Sequence, residues 1–384
     1  MTKVLFISQW YPHRYDPMFG LFVRKHAEAV ALYANVAVLY VHPDPLIKKR
    51  EIVITSEHGF QEIIVYYPSS GKSIWGNTRK RIEYLLSYKK GFEILFDSWG
   101  LPEIIQVSVF TRTPLIAAWL KKRYKIPYTV IEHWTRYFRE KTFNSRIHRM
   151  LSTFAARNAD AVMPVTLHLQ KSMENHGMHN MNYRIINNVV DDLFFDRLAT
   201  PTSKKIRILN VTCFDDAQKN LSGLINVIQA LQIKRQDFEL VLVGKGIDFE
   251  HIKELAVEKG LDDKVIKFTG MLTGEELVKT YQESHFTVLF SNYENIPVVI
   301  SESFACGLPV ISTNVGGIAE HIDQSNGLLI HKGDEQALFN SIDYMLDHHS
   351  EYNSEEIRNK ALERYSYKSV GKEMMNIYQE ILKK

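Results

Sequence analysis

Residues 291–309 have the sequence SNYENIPVVISESFACGLP, whose pattern is the clearest local indication of the fold. A short apolar run that ends at Phe290 precedes it and predicts a buried strand. A polar loop that carries Glu294 follows. Pro297 is suited to begin a helix and Gly307 to end it. The stretch therefore predicts a strand, a loop and a helix, which is the unit that repeats in parallel α/β folds.

The same alternation of strands and helices extends over both halves of the chain. In the first half, strands are predicted at Val4–Ser8, Val36–Val41, Ile63–Tyr67, Ile104–Val107, Tyr128–Glu132 and Ala161–Val165. In the second half, they are predicted at Ile206–Val211, Phe238–Val243, Val265–Phe268, Phe286–Phe290, Pro309–Ser312 and Gly327–Ile330. Amphipathic helical segments separate them. We therefore expect an α/β fold with two Rossmann-like domains facing a cleft, because ligands bind at the carboxyl ends of parallel strands.

The domain boundaries follow from a polar segment in the middle of the chain. The 384 residues exceed the roughly 250–300 that one core supports. The stretch Asn187–Asp191, followed by the polar, proline-containing stretch Thr200–Ser203, is typical of a linker. We predict one domain at 1–195 and a second at 196–365. The remaining helix, 366–384, has no strand after it and is expected to cross back to the first domain.

Composition and charge restrict the class of protein. The chain is 45% apolar and 24% charged, which is ordinary for a globular protein and excludes disordered, collagen-like and coiled-coil chains. No apolar run reaches membrane-spanning length, and residues 1–7 lack the features of a signal peptide. Two cysteines are too few for a disulfide framework or a zinc site. We therefore expect a cytoplasmic protein.

Basic residues are concentrated in the first half. Residues 1–195 contain 26 Lys and Arg against 16 Asp and Glu, whereas residues 196–384 contain 21 against 28. This asymmetry predicts an acidic partner for the first half, either an anionic membrane surface or a phosphate-bearing acceptor. The segment Arg79–Phe96 alternates basic and apolar residues. It is either a membrane-surface helix or a core-packed helix with a solvated basic face.

Two carboxylates flank the predicted helix start. Glu294 lies before the helix and Glu302 within it, eight positions later. The free amides of Ile296, Val298 and Val299 at the helix start would form an anion site. Of two carboxylates on either side of a phosphate site, one can accept hydrogen bonds from the hydroxyl groups of a ribose and the other from those of a sugar. That combination is the chemistry of a nucleotide sugar.

The spacing resembles the E-x7-E signature of retaining glycosyltransferases of family 4, which have the two-domain GT-B fold. The resemblance extends over nearly the whole chain. Further matching segments are the first glycine loop and helix at Ser8–Val30 with Gly20, the segment Glu132-His133-Trp134, the linker entry at Asn188–Asp191, the strand ends at Gly244 and Gly270, and the loop Gly316–Glu320.

The resemblance implies a metal-independent, retaining hexosyltransferase with these site residues: catalytic Glu294, Lys219 and His133, and donor-binding Glu302, Asn295, Ile296, Pro297, Val298, Gly270, Gly244 and Gly20. Glu302 would accept the ribose hydroxyls. Lys219 and the amides near Pro297 would balance the diphosphate, and Glu294 and His133 would position the sugar. No cofactor and no metal are implied, and no Asp-x-Asp pair occurs.

Two positions depart from the family pattern. In the family, an arginine and a lysine after the first strand of the second domain neutralise the diphosphate. Lys219 fits this pattern, but Phe214 stands where the arginine would be. The glycine-rich turn of the family is Glu294-Asn295-Ile296-Pro297 here. These departures concern the groups that stabilise the leaving diphosphate, not the fold.

The expected activity is sugar transfer from a nucleoside diphosphate sugar to a hydroxyl of a sugar or lipid-linked acceptor. By analogy, the setting is cell-surface polysaccharide or glycolipid synthesis, with the protein at the inner face of the membrane and without nucleic acid. Two alternatives remain open. One is a nucleotide-sugar epimerase of the same fold, and the other is a two-domain binding protein without chemistry.

Overall fold

The chain folds into two compact units, Met1–Val189 with Tyr367–Lys384 and Val190–Ser366. The computed structural model describes residues 1–383 apart from 70–73, 139–142, 144, 202, 262 and 264, and of residues 74–77 it describes the backbone only. Each unit contains a predominantly parallel sheet with helices on both faces. The predicted fold class, α/β with two Rossmann-like domains, is confirmed.

The first unit is built on a seven-stranded sheet. Its strands are β1 (Lys3–Ser8), β2 (Asn35–Asp44), β3 (Glu51–Thr55), β4 (Gln61–Pro68), β5 (Ile104–Ser108), β6 (Tyr128–Glu132) and β7 (Ala161–Pro164). Their order is β3-β4-β2-β1-β5-β6-β7. The accompanying helices are α1 (Leu21–Ala31), α2 (Ile74–Trp99), α3 (Thr113–Tyr124), α4 (Arg146–Asn158) and α5 (Leu167–Asn175).

The sequence did not predict strand β3. It pairs with β4 in antiparallel register, whereas all other neighbours in this sheet are parallel. Val53 and Ile54 in β3 are both exposed. A short edge strand with an exposed apolar face lacks the buried pattern by which the other strands were recognised.

The second unit is built on a six-stranded parallel sheet in the order β10-β9-β8-β11-β12-β13. Its strands are β8 (Ile206–Val211), β9 (Phe238–Val243), β10 (Ile266–Gly270), β11 (Phe286–Leu289), β12 (Val310–Thr313) and β13 (Gly327–Ile330). Its helices are α6 (Asp216–Lys219), α7 (Leu221–Lys234), α8 (Phe249–Glu258), α9 (Gly274–Gln282), α10 (Val298–Ala305), α11 (Glu335–His348) and α12 (Ser354–Tyr365).

Strands β8 and β11 are neighbours in this sheet although a long stretch of sequence separates them. Chain order runs outward from β8 on one side, to β9 and β10, and from β11 on the other. The direction in which successive strands are added to the sheet therefore reverses between β8 and β11. Loops that leave β8 and β11 meet at the carboxyl edge of such a switch point, which is where open α/β sheets bind ligands.

The second sheet has an apolar core on each face. One core combines residues of α7, α8 and α11, such as Ile228, Ile252 and Ile342. The other combines residues of α9, α10 and α12, such as Tyr281 and Phe304. Both cores are fully enclosed, so the loops at the strand ends rest on a rigid support.

The last helix of the chain, α13 (Tyr367–Leu382), belongs to the first unit. It packs against α1, and the hydroxyl of its Tyr378 donates to Gln106 Oε1 of β5 at 2.7 Å. The close approach needs a glycine, because a Cβ at Gly371 would lie 2.0 Å from the Ala29 carbonyl oxygen.

Among the described residues, no helix has the length and apolar character needed to cross a bilayer.

The contact between α1 and α13 can be tested by adding a side chain to it. We expect Gly371→Val to lower the free energy of unfolding of the first unit by about 1–3 kcal/mol, because the helices must separate. Lys372→Val, one position along on the exposed face, should change it by less than about 0.5 kcal/mol. Urea unfolding measures both, and equal values for the two variants would contradict the packing.

Candidate active site

The loop after β8 presents Lys219 at the carboxyl edge of the second sheet. Asp215 caps the short helix α6, accepting a hydrogen bond from the Gln218 amide at 3.1 Å. Asn220 then adopts a left-handed conformation with φ of 51° and separates α6 from α7. Because α6 is capped by Asp215 at one end and terminated by Asn220 at the other, the backbone of Lys219 is held in a fixed position.

The loop after β11 is tied to the same helix. The Asn292 amide donates to the Gln218 carbonyl oxygen at 2.7 Å, and the Asn292 side chain donates to the Ala217 carbonyl oxygen at 3.2 Å. These bonds join the two loops where their strands adjoin. Hydrogen bonds of Asn292 to the backbone of α6 therefore bring Glu294 close to Lys219, and the contact does not depend on the two charges alone.

Lys219 and Glu294 form a nearly buried ion pair. The Lys219 Nζ to Glu294 Oε1 distance is 2.5 Å, with 13% and 7% of the two side chains exposed. Ser291 Oγ donates to the same carboxylate oxygen at 2.9 Å. In so dry a position, an ion pair is stable only when further hydrogen bonds serve its remaining atoms. Removing either partner would leave an uncompensated charge.

The turn at Gly316 and Gly317 supports the Glu294 loop from below. A Cβ at Gly316 would lie 2.0 Å from the Glu294 carbonyl oxygen, and its φ of 60° also favours glycine. The Gly317 amide donates to the Asn295 carbonyl oxygen at 2.9 Å. The predicted glycine loop is therefore a close-packing element beneath Glu294.

Helix α10 begins at Val298, four positions after Glu294. Pro297 has extended backbone and precedes the first helical residue, Val298, and its carbonyl oxygen accepts from the Ile300 amide at 3.1 Å. The half-buried residues Ile296, Pro297 and Val298 form this helix start. The first amides of a helix have no intrahelical acceptor and carry partial positive charge. They lie in the same loop as Glu294.

Glu302 lies further along α10 and is oriented by a buried tyrosine. The Tyr281 hydroxyl donates to Glu302 Oε2 at 3.0 Å. Burial, and then the negative charge of Glu302, raise the pKa of Tyr281 far above its usual value, so the phenol stays protonated as a donor. The sequence predicted Glu302 but not Tyr281, whose partner lies 21 positions away on another helix.

The ends of β9 and β10 complete this edge of the sheet. The Gly244 amide donates to the Gly270 carbonyl oxygen at 2.8 Å. A Cβ at Gly244 would lie 1.8 Å from the Thr212 carbonyl oxygen, so the loops after β8 and β9 touch through their backbones. Both glycines predicted as site residues thus lie where the strand ends converge.

Phe214 points into the core and not into the site. It is fully buried, and its ring centroid lies 4.8 Å from that of Phe249 and 6.3 Å from that of Phe268. Its amide donates to the carbonyl oxygen of Lys245, an exposed residue, at 3.1 Å. Lys245 is therefore a basic residue at the same edge. The sequence feature that could have indicated Lys245 is its position between two glycines, Gly244 and Gly246.

His133 and Gly20 lie in the first unit. Gly20, with φ of 65°, directly precedes α1, and a Cβ there would lie 2.5 Å from the Trp10 carbonyl carbon. His133 is half-buried, with Phe22 of α1 at 4.2 Å between ring centroids. Burial, and secondly the nearby His26, hold the pKa of His133 well below its usual range. At neutral pH it is therefore an uncharged hydrogen-bonding group.

A buried carboxylate that the sequence did not predict holds the His133 loop. Glu132, fully buried, accepts from the amides of Phe110, His133 and Trp134 and from the Tyr137 hydroxyl, at 2.8–2.9 Å. Four donors compensate for burying this group. Glu132 therefore positions the loop from within.

The described ranges contain no cluster of His, Cys, Asp or Glu that could hold a metal ion.

Two Rossmann-like units are characteristic of the GT-B fold, which many glycosyltransferases have. Solved structures with this fold resemble the chain. Sucrose-phosphate synthase from Thermosynechococcus elongatus superposes with a TM-score of 0.74 at 20% identity, and each chain is covered completely. The Anabaena protein HepE in complex with UDP gives 0.74 at 14% identity, covering 99% of this chain and 100% of that one. HepE is also known in complex with UDP-glucose. At these identities the likeness establishes the fold alone.

Sequence comparison adds the family of the second unit. Residues 196–364 match the family described as Glycosyl transferases group 1. Two uncharacterized glycosyltransferases of Methanocaldococcus jannaschii are similar: one is 29% identical over 42% of either chain, the other 26% identical over 85% of this chain and 88% of the relative. The amylovoran biosynthesis glycosyltransferase of Erwinia amylovora is 32% identical over 37% of this chain and 36% of its own length. The chain thus spans less than half of two of these relatives.

The close packing beneath Glu294 can be measured with a matched pair of glycines. We expect Gly316→Ala to lower the free energy of unfolding of the second unit by about 2–5 kcal/mol, since left-handed strain and a clash with Glu294 combine. Gly333→Ala shares a positive φ of 74° but meets nothing within 4 Å, so it should cost only about 1–2 kcal/mol. Equal losses in urea unfolding would contradict the support of the loop by Gly316.

Proposed function

We propose that the protein is a retaining glycosyltransferase that moves a hexose-type sugar from a nucleoside diphosphate to an acceptor hydroxyl. The observation that carries the proposal is the Lys219–Glu294 pair beside the start of α10, at the switch point of a unit that matches a glycosyltransferase family. The names of the relatives and the UDP complexes of HepE support a nucleotide-sugar donor.

In this proposal the domain predicted at 196–365, which lies within the second unit, binds the donor. Glu302, oriented by Tyr281, accepts hydrogen bonds from the ribose hydroxyls. Asn295, Ile296, Pro297 and Val298 form the helix start that faces the diphosphate, and Gly244 and Gly270 allow the nucleotide to approach the strand ends. Glu294 accepts from hydroxyls of the transferred sugar.

Charge on the diphosphate is balanced by the protein. As the bond between the sugar C1 and the phosphate oxygen breaks, negative charge grows on the diphosphate, and Lys219 with the helix amides stabilises it. The acceptor oxygen bonds to C1 on the same face, and its proton passes to the departing phosphate oxygen. No metal is required in this scheme. Lys245 provides a second cation at the edge where Phe214 replaces the family arginine.

In this proposal the domain predicted at 1–195 binds the acceptor. His133, as a neutral imidazole, forms a hydrogen bond that positions the transferred sugar of the donor, and the loop at Gly20 leaves room for the donor. The excess of basic residues suits an acceptor borne on an anionic membrane, with the protein bound peripherally. The amylovoran relative supports a role in polysaccharide synthesis.

The ribose assignment is tested by removing one charge. We expect Glu302→Gln to weaken binding of the preferred nucleotide among UDP, GDP and ADP by about 10- to 150-fold, the equivalent of a lost charged hydrogen bond of about 1.5–3 kcal/mol. Glu276→Gln, at an exposed position of α9, is the matched control and should bind normally. Titration calorimetry measures both, and unchanged affinity in Glu302→Gln would contradict the assignment.

The role of Lys219 is tested by separating turnover from affinity. Lys219→Met should reduce kcat by about 100- to 1000-fold and change KM much less, because the charge that it stabilises grows in the transition state. Loss of the cation also leaves Glu294 unpaired, so Lys219→Met/Glu294→Gln serves as a second variant whose melting is less disturbed. A raised KM at full kcat would mean that Lys219 binds only the ground state.

A further inference from the structure

The first unit contains a large cavity that the site described above does not use. Its volume is about 1230 Å³, larger than the roughly 300–1,000 Å³ of ordinary small-molecule sites. Helices α2, α3 and α4 form its walls, and the loops after β1, β5 and β6 close it at the carboxyl edge of the sheet. Apolar lining residues include Leu85, Tyr88, Phe92, Leu115, Ile116 and Leu151.

The cavity opens among exposed apolar side chains. Leu85 of α2, Trp119 of α3 and Ile147 of α4 all line it, yet 59%, 57% and 65% of their surfaces are exposed. Single exposed apolar residues are common, but three from three helices at one opening are not expected of a surface that only faces water. The arrangement favours entry of a hydrocarbon chain from an apolar phase.

Basic side chains mark the polar part of the cavity. Arg81, Lys89, Arg112 and Arg136 line it, against one carboxylate, Glu93. Glu93 lies 3.9 Å from Lys89 and 3.5 Å from Lys90, so Lys89 and Glu93 offset each other and the positive charge of the lining comes from the three arginines. Arg112 and Arg136 come from the loops after β5 and β6, the end of the cavity nearest His133. A phosphate group at this end would meet a net positive surface.

We propose that this cavity binds the chain of a long-chain lipid phosphate, with the phosphate at Arg112 and Arg136. The proposal rests on the proposed function, since such a lipid would carry the acceptor sugar into the first unit. It goes beyond that function by assigning the acceptor's carrier to a chemical class and to a site. A free sugar acceptor would not fill so large an apolar volume.

Dodecyl phosphate is the probe for the chain. Trp10, Trp119 and Trp134 line the cavity, so binding below the micellar concentration should change the tryptophan fluorescence. Across octyl, decyl and dodecyl phosphate, affinity should rise by up to about four-fold per methylene, as expected for burial in an apolar site. Dodecyl glucoside, which has the same chain and no charge, should bind more weakly than dodecyl phosphate. Affinity that is independent of chain length would overturn the proposal.

The site is located with charge substitutions at its opening. Leu85→Glu/Ile147→Glu should weaken dodecyl phosphate binding at least ten-fold. Met181→Glu, at a fully exposed position outside the cavity, should bind it like the wild type. Thermal melting and nucleotide binding to the second unit show whether the double variant is folded, and Leu85→Gln/Ile147→Gln replaces it if it is not. Unweakened binding in the folded variant would overturn the proposal.

Three further outcomes test the proposal, and the last two separate it from the function on which it rests. Binding to phosphatidylglycerol vesicles that dodecyl phosphate does not reduce would mean that the apolar opening only docks on membranes, which overturns the cavity assignment. Absence of nucleotide binding, with dodecyl phosphate bound as expected, would contradict the proposed transferase and leave the lipid site supported. Nucleotide binding that depends on Glu302, without any dodecyl phosphate binding, would do the reverse.

Discussion

The ion pair between Lys219 and Glu294 is the interaction on which the candidate active site depends. It joins the loop after β8 to the loop after β11, at the only point where the two halves of the second sheet adjoin in the described chain. Because it is nearly dry, it needs Ser291 and the backbone bonds of Asn292 to be stable. The helix start at Pro297 and the turn at Gly316 take their positions from the same loop.

The first unit combines a rigidly held loop with a large apolar cavity. Its buried Glu132 satisfies four donors and so holds the loop of His133 and Trp134, while the neighbouring helices leave a large apolar space uncovered. Rigid loops beside an open apolar cavity suit a ligand with one polar and one hydrocarbon end. The excess of basic residues in this half of the chain fits the same ligand. Charge and apolar surface are thus divided between the units according to their proposed substrates.

Much of this could be predicted from the sequence, because buried parallel strands and glycine and proline positions are local signals. Residues 291–309 predicted the strand, loop and helix that carry Glu294 and Glu302, and the fold class followed. Features that depend on packing could not be predicted. Strand β3 lacks a buried pattern, Phe214 gives no sign that it faces the core, and Tyr281 and Glu132 act only through partners brought close by the fold. The cavity combines residues of three helices and three loops, which no single pattern reveals.

Retaining sugar transfer from a nucleoside diphosphate is distinguished from inverting transfer by the anomer of the sugar that is first released from the donor. Without an acceptor, such an enzyme hydrolyses its donor slowly, and proton NMR distinguishes the anomers of the sugar before they equilibrate. With UDP-, GDP- and ADP-glucose and excess EDTA, we expect that one donor is consumed and that α-glucose appears first. First appearance of β-glucose, or consumption only after a divalent metal is added, would contradict it.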